Sequence, residues 1–75
     1  MEKAILTYHA QQRNELLLIR LTTVTGRQLM NKIYTARAGV NQIEVAAVRN
    51  LQKGLYYLDL INGNRIIETQ RIIKD

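Results

Sequence analysis

The chain has 75 residues, enough for one small hydrophobic core, and its 47% hydrophobic and 23% charged residues are typical of a folded domain rather than a disordered segment. The absence of cysteine excludes disulfides and thiolate metal sites, and no apolar run is long enough to span a bilayer as a helix. The net charge of +5 comes from 11 lysines and arginines scattered along the chain, with no two adjacent, which argues against a nucleic-acid surface.

Short strands separated by turns are predicted along the whole chain. Proline is absent, and the four glycines separate segments rich in β-branched and aromatic residues. The predicted strands are residues 4–9, 15–24, 27–35, 41–47, 55–61 and 65–74. Residues 48–53 connect two strands with one short helical turn, and a helix over residues 40–51 is the alternative for that region. The pattern predicts a single all-β domain over residues 1–75, an antiparallel sandwich of about seven short strands or a small barrel.

Alternation of apolar and polar residues indicates which face of each strand is buried. Because Arg20, Gln42 and Glu44 belong in water, their neighbours in sequence point to the core. The predicted core residues are Leu17, Ile19, Leu21, Ile43, Val45, Tyr56, Leu58 and Leu60. Two hairpin turns are predicted at Thr25-Gly26 and Asn62-Gly63-Asn64, since glycine and asparagine tolerate the positive φ of a tight turn.

The residue types needed for catalysis or metal binding are few and dispersed. His9 is the only histidine, so neither a histidine metal cluster nor a serine–histidine–aspartate triad can be assembled. The internal acidic residues alternate with apolar ones on predicted strands, so we expect them to be solvated: Glu15, Glu44, Asp59 and Glu68. The isolated Gly39 and Gly54 do not form a phosphate-binding loop. We therefore predict no enzyme activity, no metal and no cofactor.

Four stretches of the sequence resemble a known family: IRLTTVTGRQL at 19–29, AGVNQIEV at 38–45, LQKGLYYLDL at 51–60 and QRIIKD at 70–75. In this order and spacing they resemble the C-terminal sorting domain of type IX secretion cargo, over residues 4–75. The positions that match the family's motifs are Gly26, Arg27, Gly39, Asn41, Leu51, Gly54, Tyr56, Arg71, Ile72, Ile73 and Lys74. The hairpin glycine Gly63 is added to them as a structural position.

The sequence departs from the family's pattern in three places. Thr22 and Thr23 stand where the family usually has an aromatic residue and an aspartate or asparagine. Ala46 and Ala47 replace a larger aliphatic residue and an acid. The Pro-Asn-Pro stretch that commonly opens the domain is missing, so we expect this chain to have been cut from a larger secreted protein.

The resemblance implies a seven-stranded Ig-like β-sandwich that ends a secreted protein and catalyses nothing. It further implies recognition by the type IX translocon and its shuttle proteins, and removal by a sortase-like cell-surface peptidase. The upstream cargo domain would pass through the periplasm of a Gram-negative bacterium to the cell surface.

The terminal strand is the predicted recognition element, with the residues Arg71, Ile72, Ile73, Lys74 and Asp75. Its open edge or its terminal carboxylate would be captured by strand addition. Both isoleucines are expected to pack in the core, which would leave the basic and terminal positions for the partner.

Two other functions fit an all-β domain of this size. Sandwiches host many activities, so a generic Ig-like interaction or carbohydrate-binding accessory module is the first alternative. The second is a free-standing basic β-domain that binds nucleic acid, for which the net charge is the argument. The preferred interpretation has no nucleic-acid partner and no transmembrane segment.

Overall fold

The computed structural model describes residues 3–75, which form two antiparallel sheets. Within this part of the chain the strands and the 3₁₀ helix are β1 Ala4–Ala10, β2 Glu15–Thr23, β3 Gln28–Ala36, β4 Gly39–Val45, the 3₁₀ helix Ala46–Asn50, β5 Gly54–Asn62 and β6 Arg65–Lys74. One sheet has the strand order β3-β2-β5-β6, and the other pairs β1 with β4. The predicted all-β antiparallel sandwich is confirmed.

The core lies between the two sheets and follows the predicted alternation. The eight residues that strand alternation assigns to the core are all buried. Further buried members come from β1, the 3₁₀ helix and β6, namely Leu6, Val48 and Ile72. Because Val48 is fully buried, the 3₁₀ helix covers the core at the end of the sandwich where β4 finishes. Burial of these apolar side chains is the main favourable term in the stability of the domain.

The strand that contains Ile43 ends earlier than the sequence predicts. β4 stops at Val45, and Ala46 already belongs to the 3₁₀ helix. Two successive alanines lack the β-branched or aromatic side chains that favour a strand, which explains the early end. The alternative of a helix over residues 40–51 is wrong, because residues 39–45 pair with β1 and place Ile43 opposite Leu6.

Asp59 is a second departure from the prediction, because it is buried instead of solvated. It lies in β5, one of the two inner strands of the four-stranded sheet, and only 8% of its surface is exposed. The strand register places Arg20 opposite it on β2 and Thr69 opposite it on β6. Asp59 accepts hydrogen bonds from the Arg20 guanidinium at 3.1 Å and from the Thr69 hydroxyl at 2.6 Å. A polar row therefore crosses the sheet, and its partners offset the cost of burying the carboxylate.

Two features relevant to function are absent from residues 3–75. No helix in these residues has the length and apolar character needed to cross a bilayer. No group of three or more histidine, aspartate or glutamate side chains in the same range is placed to hold a metal ion.

Candidate functional site

The terminal strand β6 forms an edge of the four-stranded sheet and pairs with β5 alone. Alternate residues of this strand face opposite sides of the sheet. Ile72 lies opposite Tyr56 and is 2% exposed, so it belongs to the core. Ile73 lies opposite Leu55 and is 58% exposed. The expectation that both isoleucines pack is therefore wrong for Ile73, which faces solvent.

Lys74 occupies a different environment from the exposed position that the sequence suggested. Its ammonium group donates to the backbone carbonyls of Val48 and Arg49, at 3.2 and 3.0 Å. These carbonyls lie in the last turn of the 3₁₀ helix, where acceptors need a partner and a positive charge is favourable. Lys74 thus fastens the end of β6 to the 3₁₀ helix, which makes it a structural residue in the folded domain.

The outward-facing residues at the end of β6 line a shallow groove. We call it the terminal groove and define it by Lys53, Leu55, Arg71, Ile73 and Asp75. It has a volume of about 430 Å³ and is also bordered by Gly54 and Lys74. Arg71 is exposed, as is Asp75. The groove offers apolar side chains flanked by cations beside an open strand edge.

Asn41 is buried and organises the connection between β3 and β4. Its side-chain amide donates to the carbonyl of Arg37 at 2.8 Å and to that of Gly39 at 3.1 Å. Its side-chain oxygen accepts from the backbone N–H of Arg37 at 3.1 Å. With 1% of its surface exposed, Asn41 satisfies the backbone of a loop that crosses from one sheet to the other. Its match to the family motif has a structural explanation.

The motif residues Leu51, Gly54 and Tyr56 form a corner before β5. The Tyr56 hydroxyl donates to the Gln52 carbonyl at 2.6 Å, which resembles the tyrosine corner of Ig-like sandwiches. Leu51 packs against the core. Gly54 has φ +155°, and a Cβ at this position would lie 3.6 Å from the Tyr56 ring, in ordinary contact. The glycine is therefore explained by backbone conformation and not by lack of space.

The turn between β2 and β3 contains Gly26 and Arg27. Gly26 N–H donates to the Thr23 carbonyl, and Thr23 N–H donates to the Arg27 carbonyl, both at 2.9 Å. The Thr23 hydroxyl also accepts the backbone N–H of Arg27 at 3.1 Å. The family usually has an aspartate or asparagine at the position of Thr23. Threonine differs from these residues but still provides a side-chain oxygen that accepts a hydrogen bond within the turn.

The structure divides the predicted positions between two ends of the sandwich. The strand register places Thr23 opposite Tyr56 and Gly54 opposite Lys74. The turn of Arg27, the corner of Tyr56 and the terminal groove therefore share one end. Gly39, Asn41 and the turn glycine Gly63 lie toward the other, since Tyr8 pairs with Asn41 and contacts Asn62.

A polar cluster at the second end was missed from the sequence. Glu15 accepts from the backbone N–H of Gln12 at 2.9 Å and from the Tyr8 hydroxyl at 2.7 Å, and these bonds lower its pKa. The hydrogen bond to Glu15 in turn raises the pKa of Tyr8. Asn62 donates to the Tyr8 hydroxyl at 3.1 Å, so the cluster joins β1, β2 and β5. Only the tertiary pairing of the strands brings these residues together.

An all-β sandwich with these motif positions has a counterpart among known families. The family model described as the secretion system C-terminal sorting domain matches residues 2–75. The chain therefore belongs to the type IX secretion C-terminal sorting domain family. No curated protein and no solved structure matches it.

Proposed function

We propose that this domain is a non-catalytic sorting signal whose terminal groove is contacted by the type IX translocon or its shuttle proteins. An upstream cargo domain would be carried across the outer membrane, from the periplasm to the cell surface, and a sortase-like peptidase would then remove the signal. Membership of the sorting-domain family supports the general role. The observation that selects this part of the molecule is the exposure of Ile73 on an edge strand at a position that matches the closing motif of the family.

Two residues of the terminal groove are the best candidates for direct contact with a partner. Ile73 is 58% exposed although isoleucine is usually buried, and Arg71 is exposed two residues earlier on the same face of β6. Neither side chain is needed for the core. Ile72 faces the core, and Lys74 bonds the 3₁₀ helix. We therefore infer that these two residues hold β6 in position.

The geometry also supports a mode of binding. An edge strand has backbone N–H and C=O groups without a neighbouring strand, and a partner strand can pair with them. The side chains of Leu55 and Ile73 would then give the contact its apolar area, and Arg71 with Lys53 would favour an acidic partner.

Export of a fused passenger tests this function. A passenger with its own inner-membrane export signal is placed before residues 1–75 in a bacterium with an active type IX system. We expect the passenger to reach the surface, and the double variant Arg71→Ser/Ile73→Ser to accumulate in the periplasm. Exposure of the passenger to external protease measures the outcome.

The matched control changes the same residue types elsewhere on the surface. Ile33 is 61% exposed on the opposite edge strand β3, and Arg13 is exposed between β1 and β2. The double variant Arg13→Ser/Ile33→Ser should be exported normally. Both purified variants should unfold cooperatively, because exposed side chains contribute little to stability. Normal export of the folded Arg71/Ile73 variant would overturn the assignment of the terminal groove.

A further inference from the structure

A second cleft opens between the β2–β3 turn and the segment that leads from the 3₁₀ helix into β5. It has a volume of about 450 Å³, within the range of ligand pockets. We call it the hairpin cleft; its lining residues that matter here are Arg27, Leu29, Met30, Leu51 and Tyr56. Arg27 comes from the β2–β3 turn, whereas Leu51 and Tyr56 come from a distant segment that leads into β5. The fold thus assembles one concave surface from two separate motifs.

The charge of the hairpin cleft is not balanced. Arg27 is the one charged residue in its lining, and its guanidinium makes no hydrogen bond or ion pair within residues 3–75. The neighbouring cleft on the other side of Met30 differs, because Lys32 and Glu44 both line it. The hairpin cleft therefore presents a cation with no acidic neighbour in its wall.

The backbone of Arg27 is held firmly even though its side chain is free. Thr23 bonds both the N–H and the carbonyl of Arg27, at 3.1 and 2.9 Å. A fixed Cα restricts where the guanidinium can lie, which lowers the entropy lost when an anion binds. The planar guanidinium is also well suited to a carboxylate, with which it forms paired hydrogen bonds.

The remaining wall of the cleft consists of six apolar or aromatic residues and three polar ones. Leu29 is 41% exposed, while Met30 and Leu51 are partly buried against the core. Ala47 adds a small side chain, which leaves room in the cleft. Methionine adapts its shape readily, so such a surface accepts an aliphatic or aromatic side chain of varied form.

From this combination we propose that the hairpin cleft binds an extended segment of a partner protein that presents an apolar side chain next to a carboxylate. The apolar group lies on Leu29, Met30 and Leu51, and the carboxylate pairs with Arg27. The unbalanced charge of the lining favours this occupant over a neutral apolar segment. The proposal is independent of the terminal groove, which lies on β6 and its neighbours.

A peptide titration followed by NMR tests the proposal. The probe is an acetylated, amidated hexapeptide in which two leucines alternate with two aspartates between terminal glycines. Added to the ¹⁵N-labelled full chain, it should shift the amide signals of Thr23, Arg27, Ala47 and Leu51 in a saturable manner. The same peptide with asparagines in place of the aspartates should bind about fivefold more weakly.

Two pairs of variants identify the contact. Arg27→Gln should weaken binding about fivefold, whereas Arg13→Gln, at an exposed site outside the cleft, should leave it unchanged. Leu29→Glu places a carboxylate beside Arg27 and should weaken binding further. Its control is Leu16→Glu, since Leu16 is 62% exposed and does not line the cleft.

Three results would overturn the proposal. One is the absence of saturable shifts, and another is shifts confined to residues outside the cleft. The third is equal affinity for the aspartate and asparagine peptides in a folded protein, because it would show that Arg27 does not select an anion. Dispersed NMR spectra of each variant establish that it remains folded.

Discussion

The inward and outward sides of β6 carry the same kinds of residue and have different tasks. Ile72 and Lys74 face inward, where one fills the core and the other bonds the carbonyls of the 3₁₀ helix. Arg71 and Ile73 face outward and contribute to the terminal groove. The family motif is one continuous run of residues, but strand geometry divides it into two interleaved sets. One set holds the fold together, and the other is the set that we propose for recognition.

The largest effect should come from the inward side of β6. Ile72→Ala removes a side chain that is 2% exposed and leaves a cavity, so we expect a loss of about 3 kcal/mol in the free energy of unfolding. Ile73→Ala should change it by less than about 0.5 kcal/mol. Urea denaturation measures both. Equal losses at the two positions would contradict the division between the sides of β6.

Asn41 extends the comparison to the other end of the sandwich. Asn41→Ala removes the buried amide that bonds the backbone groups of Arg37 and Gly39, and we expect a loss of about 2 kcal/mol in the free energy of unfolding. The control Asn50→Ala changes an exposed asparagine and should cost less than about 0.5 kcal/mol. Thermal denaturation measures both variants. If Asn41→Ala and Asn50→Ala lose equally little stability, then Asn41 does not have the structural role that we assign to Ile72 and Lys74.

Two neighbouring tyrosines offer a finer version of the same contrast. Tyr56→Phe removes only the hydroxyl that donates to the Gln52 carbonyl, and it should lower stability by about 1 kcal/mol. Tyr57 lies on the other face of β5, and Tyr57→Phe should be nearly neutral. Chemical denaturation of both variants measures this difference. If Tyr56→Phe is as stable as the original protein, the hydrogen bond to Gln52 does not explain why the motif contains a tyrosine.

The smallest expected effect concerns Glu15, which is partly exposed and accepts hydrogen bonds from Tyr8 and Gln12. Hydrogen bonds from Gln12 and Tyr8 lower its pKa, so the folded state favours the ionised form. The resulting stabilisation is complete above the ordinary pKa of a glutamate, about 4.5, and is lost as the pH falls through the lower folded value. Glu15→Gln should therefore reduce the loss of stability on acidification.

Thermal melts across that pH range measure the Glu15 effect. Glu68→Gln is the control, because the register of β6 places Glu68 opposite Leu60, away from the Tyr8 cluster. The melting temperature of the Glu15→Gln variant should depend less on pH than that of the Glu68→Gln variant. Equal slopes for the two variants would show that the hydrogen bonds to Glu15 add nothing to stability.

The sequence predicts the fold well because alternation reports directly on burial. Leu17, Ile19 and Leu21 alternate with residues that include a charged one, so only one face of β2 can be buried. Turn chemistry likewise locates both hairpins. The pairing of β1 with β4 carries no such local signature, since it depends on which edges meet in three dimensions.

The candidate site was predicted less completely for the same reason. Ile72 and Ile73 are adjacent aliphatic residues on opposite faces, and only the register with Tyr56 and Leu55 shows which is buried. Lys74 appears exposed in the sequence because the carbonyls it bonds come from a distant segment. Arg27 matched a motif, yet its place in a cleft with Leu51 requires the folded chain.

The connectivity of the two sheets has a consequence for how the domain folds. β5 and β6 are neighbours in sequence and form a hairpin, whereas β1 must find β4, with Ala4 opposite Val45. Local hairpins close quickly, and pairings between distant segments slow the folding of all-β domains to milliseconds or seconds. We therefore expect the hairpin that contains the terminal groove to acquire structure before β1 docks. The C-terminal end of the domain would then be folded before β1 pairs with β4.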